Sequence, residues 1–199
     1  MAFAIYLNGT SSAGKTTLCR ALQEKCEEPL FTTGIDLLIR QILPHKFGLA
    51  GDSAEDFLWR QEIDSTGVSV PRVRMGPRGQ KSYRMLIQAS CALLDGGINV
   101  VIDDVAIMGQ WQTDLWKVAL QPYSSLFVGV RCPLHIIEAR ERERGDRPLR
   151  SARGQYEIVH AGTRYDLEID TSQESTDESV ARILSYQRNP PKLLMRPDE

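Results

Sequence analysis

Phe3-Ala4-Ile5-Tyr6-Leu7, followed after Asn8 by Gly9-Thr10-Ser11-Ser12-Ala13-Gly14-Lys15-Thr16, decides the fold. The apolar run reads as a buried strand. The octet that follows satisfies G-x-x-x-x-G-K-[ST] at every fixed position, and Lys15 to Glu27 has the periodicity of a helix. In such a strand-loop-helix unit the glycines let successive backbone N–H groups turn inward around phosphate oxygens. Lys15 adds a point charge for the outer phosphates, and the Thr16 hydroxyl is placed to reach Mg²⁺. The positive end of the helix points at the same spot. Gly9, Thr10, Ser11, Ser12, Ala13, Gly14, Lys15, Thr16 and the next residue, Thr17, are therefore expected to hold a nucleotide triphosphate.

Working outward, strands are expected at Phe3 to Leu7, Leu30 to Thr33, Asn99 to Ile102, Leu126 to Val130 and Leu167 to Ile169. Helical stretches lie between and after them: Lys15 to Glu27, Ile35 to Leu43, Lys81 to Asp95, Trp111 to Leu120, Pro133 to Arg144 and Glu174 to Gln187. Alternating β and α segments predict an α/β fold, a doubly wound parallel five-stranded sheet of the P-loop nucleotide-kinase type. Val100-Val101-Ile102 is continuously apolar, as a strand covered on both faces requires. Pro44 to Gly79, with its five glycines and three prolines, reads as a loop-rich insertion over the active site. One domain is expected over residues 1–188, with an acceptor-side insertion at about 40–84, a small arginine-bearing lid at about 140–155, and a tail at 189–199.

The chain has 199 residues and a net charge of −2, a balance that points to neither a nucleic-acid nor a membrane-surface partner. Cys19, Cys26, Cys91 and Cys132 form no C-x-x-C pair, which argues against zinc. The first strand begins within three residues of the N-terminus, leaving no room for a signal peptide, and no apolar run is long enough to span a bilayer. A cytoplasmic enzyme is the expectation, and homo-oligomerisation is compatible with it.

Three acidic positions and an arginine run are the remaining candidates for chemistry. Asp36 follows the second strand, at the carboxyl edge where ligands of open α/β sheets bind. It is suited to take a proton from an attacking hydroxyl, or to cap the helix that follows. Asp103, closing Val100-Val101-Ile102-Asp103-Asp104, has the position of an acidic group of a Mg²⁺ shell alongside Thr16. Asp104 would then point into an acceptor pocket or onto a neighbouring amide. Arg140-Glu141-Arg142-Glu143-Arg144-Gly145-Asp146-Arg147 reads either as a solvated face of ion pairs or as a source of cations for the transferred phosphoryl. Arg144 and Arg147 bracket the break at Gly145, and Arg140 lies on the nucleotide side. Arg72, Arg74 and Arg78 read as acceptor contacts or as surface charge. His45, His135 and His160 are expected to be structural; Trp59, Trp111 and Trp116 read either as lining of an acceptor pocket or, for the helix carrying Trp111, Leu115 and Val118, as packing core.

With these elements in place the chain resembles the chloramphenicol phosphotransferase family of small P-loop kinases. The likeness runs from Leu7-Asn8-Gly9 through Gly34-Ile35-Asp36, Gly76-Pro77, Val101-Ile102-Asp103-Asp104-Val105, Val128-Gly129-Val130-Arg131-Cys132 and Arg144-Gly145-Asp146-Arg147 to Tyr165-Asp166-Leu167-Glu168-Ile169-Asp170-Thr171. It implies ATP- and Mg²⁺-dependent phosphorylation of a hydroxyl on a small molecule, with the aspartate matching Asp36 as base; antibiotic inactivation is one outcome it implies. Between Arg40 and Arg84 the chain departs from the name-giving enzyme. Pro44-His45-Lys46-Phe47 and Trp59-Arg60-Gln61 have no counterpart there, so chloramphenicol as acceptor does not carry over. A kinase of a nucleoside or sugar acid remains a second reading, and a regulatory ATPase a third. Against the third, neither an Asn-Lys-x-Asp element nor a Leu-Ser-Gly-Gly-Gln signature is present.

Overall fold

The structure, a computed structural model, describes residues 2–188; the expected tail at 189–199 lies outside them. Five parallel strands form the sheet: β1 (Phe3–Asn8), β2 (Leu30–Thr33), β5 (Asn99–Asp104), β6 (Ser124–Arg131) and β7 (Leu167–Asp170), in the order β2-β5-β1-β6-β7. From β1 the chain crosses to β2 on one side of the sheet, and after β5 it passes beyond β1 to β6 and β7 on the other, so β1 borders the crevice in which ligands of such folds bind.

Alternation along each strand builds two cores. Ala4 and Tyr6 of β1, Val100 and Ile102 of β5, and Phe127 of β6 face α3 (Pro77–Asp95) and α4 (Gln110–Leu120). Ile5, Leu7, Val101, Leu126, Val128 and Val130 face α1 (Lys15–Lys25), α5 (Leu134–Arg144) and α7 (Thr176–Arg188). Both faces of the sheet are thus covered, as the continuous apolar runs anticipate.

The segment read as loop is structured. Residues 57–75 fold as an antiparallel hairpin, β3 (Phe57–Ile63) and β4 (Ser69–Met75), that pairs with no strand of the main sheet. Charges conceal it in the sequence: Glu62 accepts from both Arg72 and Arg74, and Arg78 forms a two-pronged ion pair with Asp56. Pro71 sits inside β4, a position tolerated in a two-stranded ribbon. The turn is closed by Asp64, whose Oδ1 accepts from Thr66 N, Thr66 Oγ1 and Val68 N. Helix α3 begins at Pro77, four residues before the expected Lys81, with proline where its missing N–H is harmless. The helix expected over Ile35 to Leu43 is one turn of α2 (Ile35–Leu37) continuing as a π-helical stretch, Leu38–Ile42. A further short helix, α6 (Ser151–Tyr156), lies in the expected lid.

Asp104 requires correction. It is fully buried, and its Oδ2 accepts from Tyr6 Oη at 2.9 Å, Tyr83 Oη at 2.6 Å and Gln112 Nε2 at 3.0 Å. Trp116 Nε1 donates to Tyr83 Oη. Successive strand residues point to opposite faces, so Asp104 turns into the core when Asp103 turns to the site. It pins α3 and α4 to the sheet and reaches neither an acceptor pocket nor a backbone amide. Burial raises its pKa, and hydrogen bonds from Tyr83, Tyr6 and Gln112 act against that rise. Replacing Asp104 by Ala strands two buried tyrosine hydroxyls, and a loss of roughly 3 kcal/mol of stability is expected in urea denaturation.

Candidate active site

The phosphate loop occupies residues 9–16, and a left-handed backbone at Ser12 (φ 62°) and Gly14 (φ 92°) curls its amides inward. Asn8 fixes where the loop begins. Its side-chain amide donates to Val159 O at 2.6 Å and Tyr165 Oη at 2.7 Å, and its oxygen accepts from Ala106 N. From the other side, Thr171 Oγ1 donates to Ala13 O at 2.9 Å. Ser11 N donates to Gln155 Oε1 at 2.7 Å, so α6 touches the loop directly.

A cleft of about 290 Å³ lies over this loop, and its wall includes Ser11, Ser12, Gly14, Lys15, Thr16 and Thr17 together with Asp36, Arg140, Arg144 and Arg147. Residues more than one hundred positions apart therefore converge. Of the remaining loop residues, Gly9, Thr10 and Ala13 are not part of the cleft's lining, and Thr10 O accepts from Lys15 Nζ at 2.8 Å. The hydroxyls of Thr10, Ser11 and Ser12 are buried without hydrogen-bond partners.

Asp103 reaches the same place from β5. Its Oδ2 accepts from Thr16 Oγ1 at 2.6 Å, and its Oδ1 lies 3.9 Å from Lys15 Nζ. Burial lowers the pKa of Lys15, opposed by the charges of Asp103 and Asp36. Gly34 makes the neighbouring approach possible: it has φ 147°, and a Cβ there would sit 2.0 Å from Asp103 O.

Asp36 follows that glycine and is held by Arg147, whose Nη2 donates to Asp36 Oδ2. Arg40 Nε stands 3.9 Å from Asp36 Oδ1. Burial alone would raise the Asp36 pKa. The charge and hydrogen bond of Arg147, helped by Lys15 and Arg40, outweigh burial and hold the carboxyl below the usual range. Asp36 is not tied up as a helix cap, since α2 has no side-chain cap. Arg147 itself is almost buried, at 7% side-chain exposure, and its Nε has no partner.

The other arginines divide. Arg140 donates to Thr171 Oγ1 at 3.2 Å and Thr171 O at 3.1 Å, along the flank of the phosphate loop. Arg144 is half exposed and pairs with Asp146 at 2.9 Å. Arg74 is engaged by Glu62 on the hairpin and Arg78, at the start of α3, by Asp56 just before β3, and neither arginine lines the cleft. Their placement as substrate contacts is corrected accordingly: two strong acidic neighbours had no visible link to them in sequence. Asn8 and Gln155 were not singled out by sequence reasoning, because their partners, Val159 O, Tyr165 Oη, Ala106 N and Ser11 N, lie far away in the chain.

Fold and site together define a P-loop kinase. The sequence pattern of the family described as chloramphenicol phosphotransferase-like protein matches residues 2–188, and the chain belongs to that family. It is therefore a phosphotransferase. A Mycobacterium tuberculosis protein, from strains H37Rv and CDC 1551, provisionally named an O-phosphotransferase, is 36% identical over 188 residues, covering 94% of this chain and 83% of the relative. Among solved structures, an unliganded sugar kinase from Janibacter sp. HTCC2649 superposes with a TM-score of 0.64 at 15% identity, covering 96% of this chain and 97% of that one. The M. tuberculosis APS kinase CysC, solved with AMPPNP and APS, gives 0.63 at 13% identity, with 94% and 98% covered. These likenesses establish the fold. Among the described residues no helix is long and apolar enough to cross a membrane.

Replacing Arg147 by Ala removes the strongest opposition to burial at Asp36. The Asp36 carboxyl is then expected to titrate at higher pH than in the wild type, as followed by carboxylate ¹³C NMR of the unliganded protein. An unchanged midpoint would contradict the pairing.

Proposed function

We propose that the protein is an ATP-dependent O-phosphotransferase that moves the γ-phosphoryl group onto a hydroxyl of a small molecule with an apolar body. The observation that supports this most directly is a second cavity that shares Asp36 and Arg147 with the phosphate cleft. Its other walls are Ile35, Ile39, Leu49, Trp59, Val73, Val105 and Ile107, with Gln155 among them. A carboxylate and a guanidinium at the junction of a phosphate cradle and an apolar chamber suit an acceptor that offers one hydroxyl on a hydrophobic frame. Polyhydroxylated sugars and sugar acids would leave most of their hydroxyls unpaired against such walls. The cavity is narrow, about 10 Å³, so the hairpin carrying Trp59 and Val73 must yield when an acceptor enters.

In this reading ATP lies with its phosphates on residues 9–17 and its nucleoside toward Arg140 and Thr171. The unpartnered hydroxyls of Thr10, Ser11 and Ser12 fit an oxygen-rich ligand. Thr16 and Asp103 would hold Mg²⁺, which supplies charge neutralisation on the β- and γ-phosphoryl oxygens. Among the described residues no cluster of three or more His, Cys, Asp or Glu could hold a metal. Mg²⁺ in such sites is held by one or two protein oxygens together with substrate phosphates and water.

Asp36 accepts the proton of the acceptor hydroxyl as its oxygen attacks the γ-phosphorus in line and the bond to the β-phosphate oxygen breaks. Lys15, Arg144 and Arg147 offset charge on the transferring group. Arg147 ties the two halves together: paired with Asp36, it makes that carboxylate a weak base. Drawn toward the phosphoryl, it leaves Asp36 more basic at the moment the proton must be taken. The placement of the protein in the cytoplasm belongs to this proposal.

Incubation with Mg²⁺ and ATP and a panel of hydroxylated antibiotics, nucleosides, sugars and hydrophobic alcohols, read by mass spectrometry, tests it. At least one apolar-bodied alcohol is expected to gain a single phosphoryl group. ATP hydrolysis that no acceptor stimulates would overturn the proposal in favour of a regulatory ATPase.

A further inference from the structure

Of the two glutamates inside the alternating run Arg140 to Arg144, one is solvated and one is not. Glu143 is exposed, whereas Glu141 is 3% exposed. A carboxylate out of water needs donors, and those of Glu141 all come from one place. Its Oε2 accepts from Arg150 N at 2.7 Å, and its Oε1 accepts from Ser151 Oγ at 2.6 Å and Ala152 N at 2.8 Å. These groups open α6. Helix α6 has no cap from its own N-terminal residue, and Arg150 takes a left-handed conformation there at φ 70°. Glu141, reaching back from α5, supplies the cap instead.

The segment between these two ends is residues 145–150, and it contains Arg147. Gly145, at φ 64°, closes α5. Beyond Arg150, α6 is clamped by the hairpin: Arg72 Nε donates to Gly154 O at 2.8 Å, and Arg153 Nε donates to Asp64 Oδ2 at 2.7 Å. Glu141 thus closes a short loop at its base, much as a buckle closes a strap, and Arg147 is carried at the middle of the strap.

We propose that Glu141 is the positioning residue for Arg147, holding the 145–150 loop so that its guanidinium lies between Asp36 and the donor phosphate. Glu141 touches neither substrate nor reacting atoms in this scheme and acts only through Arg147. The inference rests on the functional reading above for its consequence in catalysis, but not for its geometry. Ordinary ion-pair alternation on a surface helix would place no demand on which glutamate is kept.

The test reads Asp36 in the unliganded protein, where Arg147 from the loop, Lys15 from the phosphate loop and Arg40 from its own helix are the charges that face it. Its carboxyl is titrated by ¹³C NMR in the wild type, Glu141→Gln, Ser151→Ala, Arg147→Ala and the double variant Glu141→Gln with Arg147→Ala. Glu141→Gln is expected to move the Asp36 midpoint to higher pH, and Ser151→Ala, which removes one of the three bonds, to move it less in the same direction. In the Arg147→Ala background, Glu141→Gln is expected to add nothing. With a responding acceptor, Glu141→Gln is expected to lower kcat by roughly 10- to 100-fold while KM for ATP changes little. An unshifted Asp36 in a folded Glu141→Gln protein would overturn the proposal, and so would a shift of equal size in the Arg147→Ala background. Because the titration needs neither nucleotide nor acceptor, failure of the kinase reading would leave its result intact.

Discussion

The parallel pairing of β5 with β1 is the constraint on which the site depends. Its register sets Leu7 beside Asp103 and Asn8 beside Asp104, so the acidic end of one strand arrives where the phosphate loop leaves the other. The pleat then gives neighbouring carboxylates opposite fates. Asp103 faces Thr16 and Lys15, while Asp104 is driven into the core, where Tyr6, Tyr83 and Gln112 all donate to one of its two oxygens. A slip of one residue would exchange them, putting an unpaired charge in the core and a core anchor in the cleft.

Around this phosphate loop, the proposed acceptor half is assembled from pieces that meet at Arg147. Asp36 comes from the turn after β2, where Gly34 lets the backbone pass close against Asp103 O. The apolar walls come partly from the hairpin, and the hairpin also grips α6 through Arg72 and Arg153. Helix α6 touches the phosphate loop through Gln155 and is tied to α5 through Glu141. In the proposed reaction an acceptor that displaces the hairpin would move the mounting of Arg147 with it, and the nucleotide would draw the same side chain from the other direction. Competition between a carboxylate and a phosphoryl oxygen for one guanidinium is a physical means of delaying base action until the donor is in place.

Much of the donor half was legible in the sequence because its signals are local. The G-x-x-x-x-G-K-T octet, the apolar strand before it and an aspartate at each of two strand ends all lie within a few residues of what they imply. The acceptor half was less legible. Pro71 and the charges of Glu62, Arg72 and Arg74 break the apolar alternation that betrays a strand, so the hairpin read as loop. Asp104 was misread because its partners lie 98 and 21 positions away as well as on α4. Arg74 and Arg78 looked available because Glu62 and Asp56 lie 12 and 22 positions away. Glu141 was hidden differently. An alternating Arg-Glu run has no apolar periodicity from which the buried glutamate could be told from the exposed one.

The central claim is that Asp36 takes the acceptor's proton at the junction of the two cavities. It is tested most directly by single-turnover phosphoryl transfer with Asp36→Asn beside a measurement of nucleotide binding on the same preparation. Transfer to a responding acceptor is predicted to fall by on the order of 10²-fold or more while ATP affinity stays within a fewfold of wild type. Transfer at the wild-type rate by Asp36→Asn would contradict it.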